Sequence, residues 1–331
     1  MKEKLKNNLK KIVFQTKFQG YSNPKFLDKA VNKTLKFMIG FPILIKNNLK
    51  FRKSSNTNFN SKNRPIYILA IMKDEGEYLS EWIQYHIDRG ITKFILYDNE
   101  SSDDTKSIIE EFQKKVDIDY RYWPGKNQQK KAYNDAVNRY KTEHVWILTI
   151  DIDEFLFPIN SLDIFTWLDK LPSNVAQVLV GWRIFGSNHH INKPKGLVIQ
   201  NYIRRAQDSY VADYKPIIKP DMTVGARNPH IFDTIGKTIN TSKERQWYYP
   251  YMALIGSEAA PKDKIVINHY YNKSLEDYKA KIKKGDAFDV TKQTRKMDNF
   301  TMQDRNEVFD DSMAPFGEKI LVELKSNQMN I

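Results

Sequence analysis

The sequence predicts an α/β fold: a mixed, largely parallel sheet flanked by helices, preceded by a basic N-terminal extension. From residue 65 to residue 150, apolar runs of strand length alternate with amphipathic stretches of helix length, the pattern of successive βαβ units with right-handed crossovers. The first of these runs, residues 65–72, is near-continuously apolar, as a strand covered on both faces requires. The chain's 331 residues, 40% of them hydrophobic, suffice for a substantial core, so disordered and fibrous classes are excluded.

Pro65-Ile66-Tyr67-Ile68-Leu69-Ala70-Ile71-Met72 is the first strand. Residues 77–89 then place Leu79, Trp82, Ile83 and His86 at helical spacing. Phe94-Ile95-Leu96-Tyr97 is a second strand, and Asp103 caps a helix that runs to Lys115. Val116 to Tyr122 is a third strand, Gln128 to Tyr140 a third helix, and Val145-Trp146-Ile147-Leu148-Thr149-Ile150 a fourth strand. His86, Trp82, Trp146 and Trp182 lie in apolar segments and are expected in the core.

The net charge of +13 suggests a nucleic-acid binder until it is located. Sixteen of the 53 basic residues but two of the 40 acidic ones fall in residues 1–64, so the remainder carries a net −1. A neutral body with a basic leader fits a tethered or surface-docked catalytic domain better than a nucleic-acid module, whose working face is basic. Leu5, Leu9, Ile12 and Val13 share one helical face of the leader. The apolar run Phe37 to Ile45 is broken by Gly40 and Pro42, is too short to span a membrane, and starts too far from Met1 for a signal peptide. The leader is therefore either an interfacial segment on an anionic membrane surface or an extension packed on the main domain, with residues 53–64 as a polar linker. With no cysteine, disulfides, thiolate metal sites and a cysteine nucleophile are absent; the expected setting is cytoplasmic, at the inner face of the membrane. No G-x-G-x-x-G is present, and the Gly181–Gly186 spacing is followed by Ser187-Asn188 where a nucleotide-binding P-loop requires Lys-Ser/Thr.

Ligands of such sheets collect beyond the carboxyl ends of the strands. Strand one runs into Lys73-Asp74-Glu75, strand two into Asp98-Asn99-Glu100-Ser101-Ser102-Asp103, and strand four into Asp151-Ile152-Asp153-Glu154. Three acidic clusters on one edge repel one another unless a cation or a hydroxyl-rich ligand lies between them. Asp151 and Asp153 form a D-x-D delivered by an apolar strand, a donor set suited to Mg²⁺ or Mn²⁺.

In order along the chain, EGEYLSEWIQYHIDRG (75–90, with Glu75, Tyr78, Leu79, Glu81, Trp82 and His86), FILYDNESSDDT (94–105), PGKNQQKKAYNDAV (124–137), VWILTIDIDEFLFP (145–158), GWRIFGSNHH (181–190), PKGLV (194–198) and INHYYNKS (267–274) resemble glycosyltransferase family 92. This family is related to the broad family 2, and its catalytic domain has the GT-A fold. The resemblance covers about residues 65–285, leaving residues 286–331 as a C-terminal helical tail. It implies a metal-dependent, inverting transfer of a sugar from a nucleotide-sugar donor such as a UDP-sugar to a saccharide or glycolipid acceptor, in surface glycan synthesis. By position, Asp98 would contact the nucleoside, Asn134 would sit near the donor phosphates, Asp151 and Asp153 would hold the metal, and His269 would close the metal site. Asp74, which stands where the family often has asparagine and so would retune the pocket, and Glu75 would line the nucleotide site. Lys273 would add positive charge at the diphosphate.

An inverting transfer needs a base for the acceptor hydroxyl. His190 matches the last histidine of the family's FGSSGH, while Asn188 and His189 depart from it; Asp208, Asp213 and Asp233 are the alternatives. Tyr210 or Trp247-Tyr248-Tyr249 would wall the acceptor site. A sugar-phosphate nucleotidyltransferase, the rival enzyme class, needs a glycine-rich basic loop after its first strand, where this chain has the acidic Lys73-Asp74-Glu75-Gly76-Glu77-Tyr78.

Overall fold

The computed structural model describes residues 62–246, 260–284 and 296–328. The leader, most of the linker and Trp247-Tyr248-Tyr249 lie outside the described residues. The four predicted strands are β1 (Ile66–Met72), β2 (Lys93–Asp98), β3 (Asp117–Tyr122) and β4 (Trp146–Thr149). They run parallel in the order β3-β2-β1-β4, linked by helices α1 (Gly76–Asp88), α2 (Thr105–Phe112) and α3 (Gln129–Arg139). Alternation along β1 explains its continuous apolar run. Ile68, Ala70 and Met72 join the core with Trp82 and Ile83 of α1, while Leu69 and Ile71 join Ala132, Tyr133 and Ala136 of α3 on the opposite face.

The predicted second helix stops early, at Phe112. The Lys115 N–H donates to the Phe112 carbonyl, and the Gln113 side chain donates to Ile118 O at 3.0 Å, so residues 113–115 turn into β3. Asp103 accepts from the Thr105 N–H at 3.0 Å and from the Gly76 N–H at 2.9 Å, tying the starts of α1 and α2 together.

Beyond β4 come β5 (Glu154–Pro158), α4 (Ile164–Asp169), the long β6 (Val175–Ile184), α5 (Val198–Asn201), β7 (Arg204–Arg205) and β8 (Tyr214–Ile218). A hairpin follows, β9 (Thr223–Asn228) with β10 (Ile231–Thr234), then β11 (Lys237–Asn240) and β12 (Ile265–His269). The described chain continues in α6 (Leu275–Lys284), α7 (Met297–Gln303), β13 (Val308–Phe309) and α8 (Phe316–Gln328).

The main sheet reads β3-β2-β1-β4-β8-β6-β12-β5, with β11 beside the first half of β6. Strand β8 is antiparallel to β4 and β6, and β5 is antiparallel to β12; the other pairings are parallel. The mixed, largely parallel sheet flanked by helices is thus the architecture the sequence predicts. Because β8 runs against β4, its first residues return to the edge where β1, β2 and β4 end.

His86 is a core residue, as expected. Burial lowers its pKa to about 3; its Nδ1 lies 2.8 Å from Trp82 O, and its Nε2 accepts the Leu156 N–H at 3.3 Å. The C-terminal segment docks on α1. Ile320 is buried, the Arg89 guanidinium lies 3.8 Å over the Phe316 ring, and Lys319 pairs with Asp88 at 3.0 Å. At the other end, Arg64 is buried and forms two bonds to Asp221, at 2.6 and 3.1 Å.

Beside that pair, Lys219 is fully buried, donating to Ser173 O at 3.0 Å with its ammonium 4.9 Å from the Trp146 ring. Burial, reinforced by the Arg64 charge, pushes its pKa from 10.5 down to about 7. Between those two values the unfolded chain holds a proton that the folded chain does not, so this lysine makes stability rise with pH across that window and withdraws it as pH falls. Lys219→Met is expected to raise the melting temperature at pH 7 and below, by on the order of 2–4 kcal/mol in stability, and to flatten the slope from pH 7 to 10. Chemical denaturation of both proteins at several pH values checks this; an unchanged slope refutes it.

Candidate active site

The site forms where β4, β5, β8 and β12 meet. Glu154 opens β5 and His269 closes β12, and the antiparallel register sets the two residues directly opposite one another. Asp153 precedes Glu154 in the turn, and its carbonyl accepts the Tyr270 N–H at 2.8 Å, which fixes the turn against the end of β12. The ring Nε2 of His269 consequently lies 3.4 Å from Asp153 Oδ1 and 3.8 Å from Glu154 Oε1. One ligand atom from each of these three residues falls within 4.8 Å of the other two, and the Trp182 ring, 4.4 Å from the His269 ring, covers the imidazole.

Two lysines balance the carboxylates. Lys215, from β8, is buried with its Nζ 2.7 Å from Asp151 Oδ2 and 3.2 Å from Glu154 Oε2. Lys281, from α6, donates to Asp153 Oδ2 at 2.6 Å. The D-x-D carboxylates therefore divide. Asp153 faces His269 and Lys281, whereas Asp151 faces Lys215 and accepts from Gln129 Nε2 at 3.4 Å.

Burial raises Glu154 well above the ordinary carboxylate range, the Asp151 and Asp153 charges adding to the effect against the pull of Lys215. For Asp153 burial acts the same way, but Lys281 and His269 outweigh it and hold the carboxyl well below that range. Burial opposes the charge on Lys215 too, yet Asp151 and Glu154 push its pKa above the usual lysine value. His269 is lowered, chiefly by burial and against the Asp153 charge.

These residues fit a hard divalent cation. Glu154 Oε1 and His269 Nδ1 are buried without a hydrogen-bond partner among the described residues, and two carboxylates with an imidazole are a donor set for Mn²⁺ or Mg²⁺.

A second acidic group stands at the ends of β1 and β2. Asp98 is buried, accepting the Ser101 N–H and the Tyr120 hydroxyl, both at 2.8 Å. Asp74, at positive φ of 50°, accepts the Ser102 N–H at 2.6 Å and donates its own N–H to Ser101 Oγ at 2.9 Å; the Glu75 N–H donates to Thr105 Oγ1 at 3.2 Å. Both clusters thus lie on the predicted edge. Lys273 is buried with its Nζ 4.2 Å from the Tyr78 ring; burial, then the neighbouring Lys281 charge, lowers its pKa despite Asp153. Asn134 is engaged elsewhere: its carboxamide oxygen accepts the Ala226 N–H at 2.7 Å and joins α3 to β9.

A family model for glycosyltransferase family 92 matches residues 71–312, well over half of the chain. The chain belongs to glycosyltransferase family 92. A family 92 protein from Ricinus communis is 28% identical over 164 residues, covering 48% of this chain and 29% of its own length. One from Arabidopsis thaliana is 25% identical over 230 residues, 65% of this chain and 36% of that protein. The chain spans about a third of the length of the curated relatives it matches. Among solved structures, S. aureus TarS 1-349 in complex with UDP is similar at a TM-score of 0.35 and 15% identity over 48% of this chain and 47% of that one.

For this family 92 chain, the candidate bases differ in their surroundings. His190 Nε2 lies 3.3 Å from Asn201 O and its ring packs edge-on to Tyr202 at 5.7 Å. Asp233 pairs with Arg227, and Asp208 pairs with Arg205 at 2.9 Å. Asp213 Oδ1 alone among these groups is buried without a partner among the described residues. The main-chain N–H of Trp182 donates to Asp213 O at 3.0 Å, extending the β6–β8 register by one pair. Asp213, just before β8, and Lys215, two residues on, therefore share a face with Trp182, the residue packed on His269.

Sequence reasoning passed over Glu154, Lys215 and Lys281 as site residues and expected Trp182 in the core, whereas it is half-buried at the site. A readable signal existed for one of them: a lysine inside the otherwise apolar run Tyr214-Lys215-Pro216-Ile217-Ile218 implies a buried cation with carboxylate partners.

Proposed function

We propose that the chain is a metal-dependent, inverting glycosyltransferase, moving a sugar from a nucleoside diphosphate sugar to a hydroxyl of a saccharide acceptor. The convergence of Asp153, Glu154 and His269 at the sheet edge that also carries Asp98 supports this function most directly. Those three residues would hold a divalent cation, which would supply Lewis-acid stabilisation of the leaving diphosphate. The chain's own residues do the rest. Asp98, fixed by Ser101 and Tyr120, presents a preorganised acceptor to the nucleoside. Lys273 supplies positive charge near the leaving group, held in place by the Tyr78 ring. Asp213 accepts the proton of the attacking hydroxyl on the opposite side.

Release of UDP or GDP from a panel of nucleotide sugars, measured with Mn²⁺ and with EDTA, tests the function. Release is expected with one donor class, stimulated by acceptor saccharide and abolished by EDTA. Metal-independent release, or pyrophosphate formed from a nucleoside triphosphate and a sugar phosphate, refutes it.

A further inference from the structure

The two lysines at the cluster are held in different ways. Lys215 is locked: its side chain is 1% exposed and it bridges two carboxylates. Lys281 stands at the rim, on a helix, with a side chain 16% exposed and a single carboxylate partner. Its ammonium also donates to Tyr271 O at 3.0 Å and lies 4.2 Å from the Tyr271 ring. The partner is Asp153, one of the three residues able to hold a cation. Lys281 thus already neutralises a carboxylate that a metal would use, and a lysine stem has the torsional freedom to leave it.

The surrounding charges give this consequence. Lys215 lies 2.7 Å from Asp151 Oδ2 and 3.2 Å from Glu154 Oε2, and Lys281 lies 2.6 Å from Asp153 Oδ2, so an ammonium already stands against each of the three carboxyl groups. A divalent cation added to such a balanced site leaves an excess of positive charge that an incoming diphosphate relieves.

We propose that Lys281 is a displaceable internal counter-ion. It holds Asp153 while the cluster lacks a metal and turns to the donor's diphosphate once metal is bound, so metal and diphosphate bind well only together. This role depends on the metal-using transferase proposed above. In this scheme Lys281 acts on affinity, through Asp153 before the metal binds and through the diphosphate afterwards.

Mn²⁺ titration of the full, metal-free chain by calorimetry, without and with saturating UDP, tests the proposal. The wild type is expected to bind Mn²⁺ weakly alone and at least about tenfold more tightly with UDP, within the usual range of such couplings. Lys281→Met is expected to bind Mn²⁺ alone about tenfold more tightly than the wild type and to lose most of the gain from UDP. Lys281→Arg, which keeps the charge on Asp153, is expected to behave as the wild type. Equal or weaker Mn²⁺ binding by Lys281→Met in the absence of UDP overturns the counter-ion role and leaves the transferase reading standing. Failure of the wild type and Lys281→Met to bind Mn²⁺ under either condition overturns both.

Discussion

Asp153→Asn is expected to lower turnover by roughly three orders of magnitude and to abolish measurable Mn²⁺ binding, while the melting temperature shifts by only about 2–4 °C. The size follows from the role. A metal stabilising charge on a leaving group contributes several kcal/mol, about 1.4 kcal/mol per factor of ten. The small stability change follows from the surroundings. Asparagine keeps the shape, and the main-chain bond from the Tyr270 N–H to the residue 153 carbonyl survives the substitution. What is lost is the charge facing His269 Nε2, to which the asparagine can still present a polar atom, and the Lys281 pair, which lies at the rim, where its ammonium retains Tyr271 O as an acceptor. A core role predicts the opposite, with activity and melting temperature falling together. Parallel measurement of UDP release, Mn²⁺ calorimetry and thermal melting separates the two.

The contrast with Asp151→Asn sharpens this test. Asp151 belongs to the same D-x-D motif in the sequence, yet its carboxylate faces Lys215 and Gln129. Removing its charge leaves the fully buried Lys215 with Glu154 as its remaining carboxylate partner. The expected result is a larger loss of stability than for Asp153→Asn and a smaller loss of Mn²⁺ affinity. Equal losses of Mn²⁺ affinity would return both aspartates to a shared metal site.

Residues 65–150 were legible because β1, β2 and β4 are buried along almost their whole length and the helices between them turn one apolar face to the sheet, so periodicity separates them; β3, at the sheet edge, is more exposed. The acidic strand ends were legible for the same reason, as polar residues that follow apolar runs must stand at the sheet edge. After residue 150 the order of strands in the sheet departs from the order in the chain: β8 inserts between β4 and β6, and β12 returns to pair with β5. Pairings at such separation leave no periodic trace, which is why the carboxylate opposite His269 was not identified as Glu154. The same topology brings Lys215 against Asp151. A D-x-D read from spacing implies two carboxylates directed at one ion, but a lysine from an antiparallel neighbour redirects one of them.

The base of the reaction is a further case in which long-range pairing decides. Asp213→Asn is expected to lower kcat by about 10²–10⁴-fold while leaving Mn²⁺ and UDP affinities within about twofold of the wild type. A base acts only on the attacking hydroxyl, so its loss falls on the chemical step and not on donor binding. His190→Ala is expected to cost less than about tenfold, because that ring is held by the Asn201 carbonyl and Tyr202. Stability supplies an independent readout. A carboxylate oxygen buried without a partner is a cost to the fold, so replacing Asp213 by the neutral, isosteric asparagine is expected to leave the melting temperature unchanged or raise it. A side chain kept for packing would show the reverse, with stability falling and kcat following only in proportion. Should His190→Ala produce the larger kcat defect with donor binding intact, the proton goes to the histidine, and the pairing of Asp213 with Trp182 serves only to position the indole over His269.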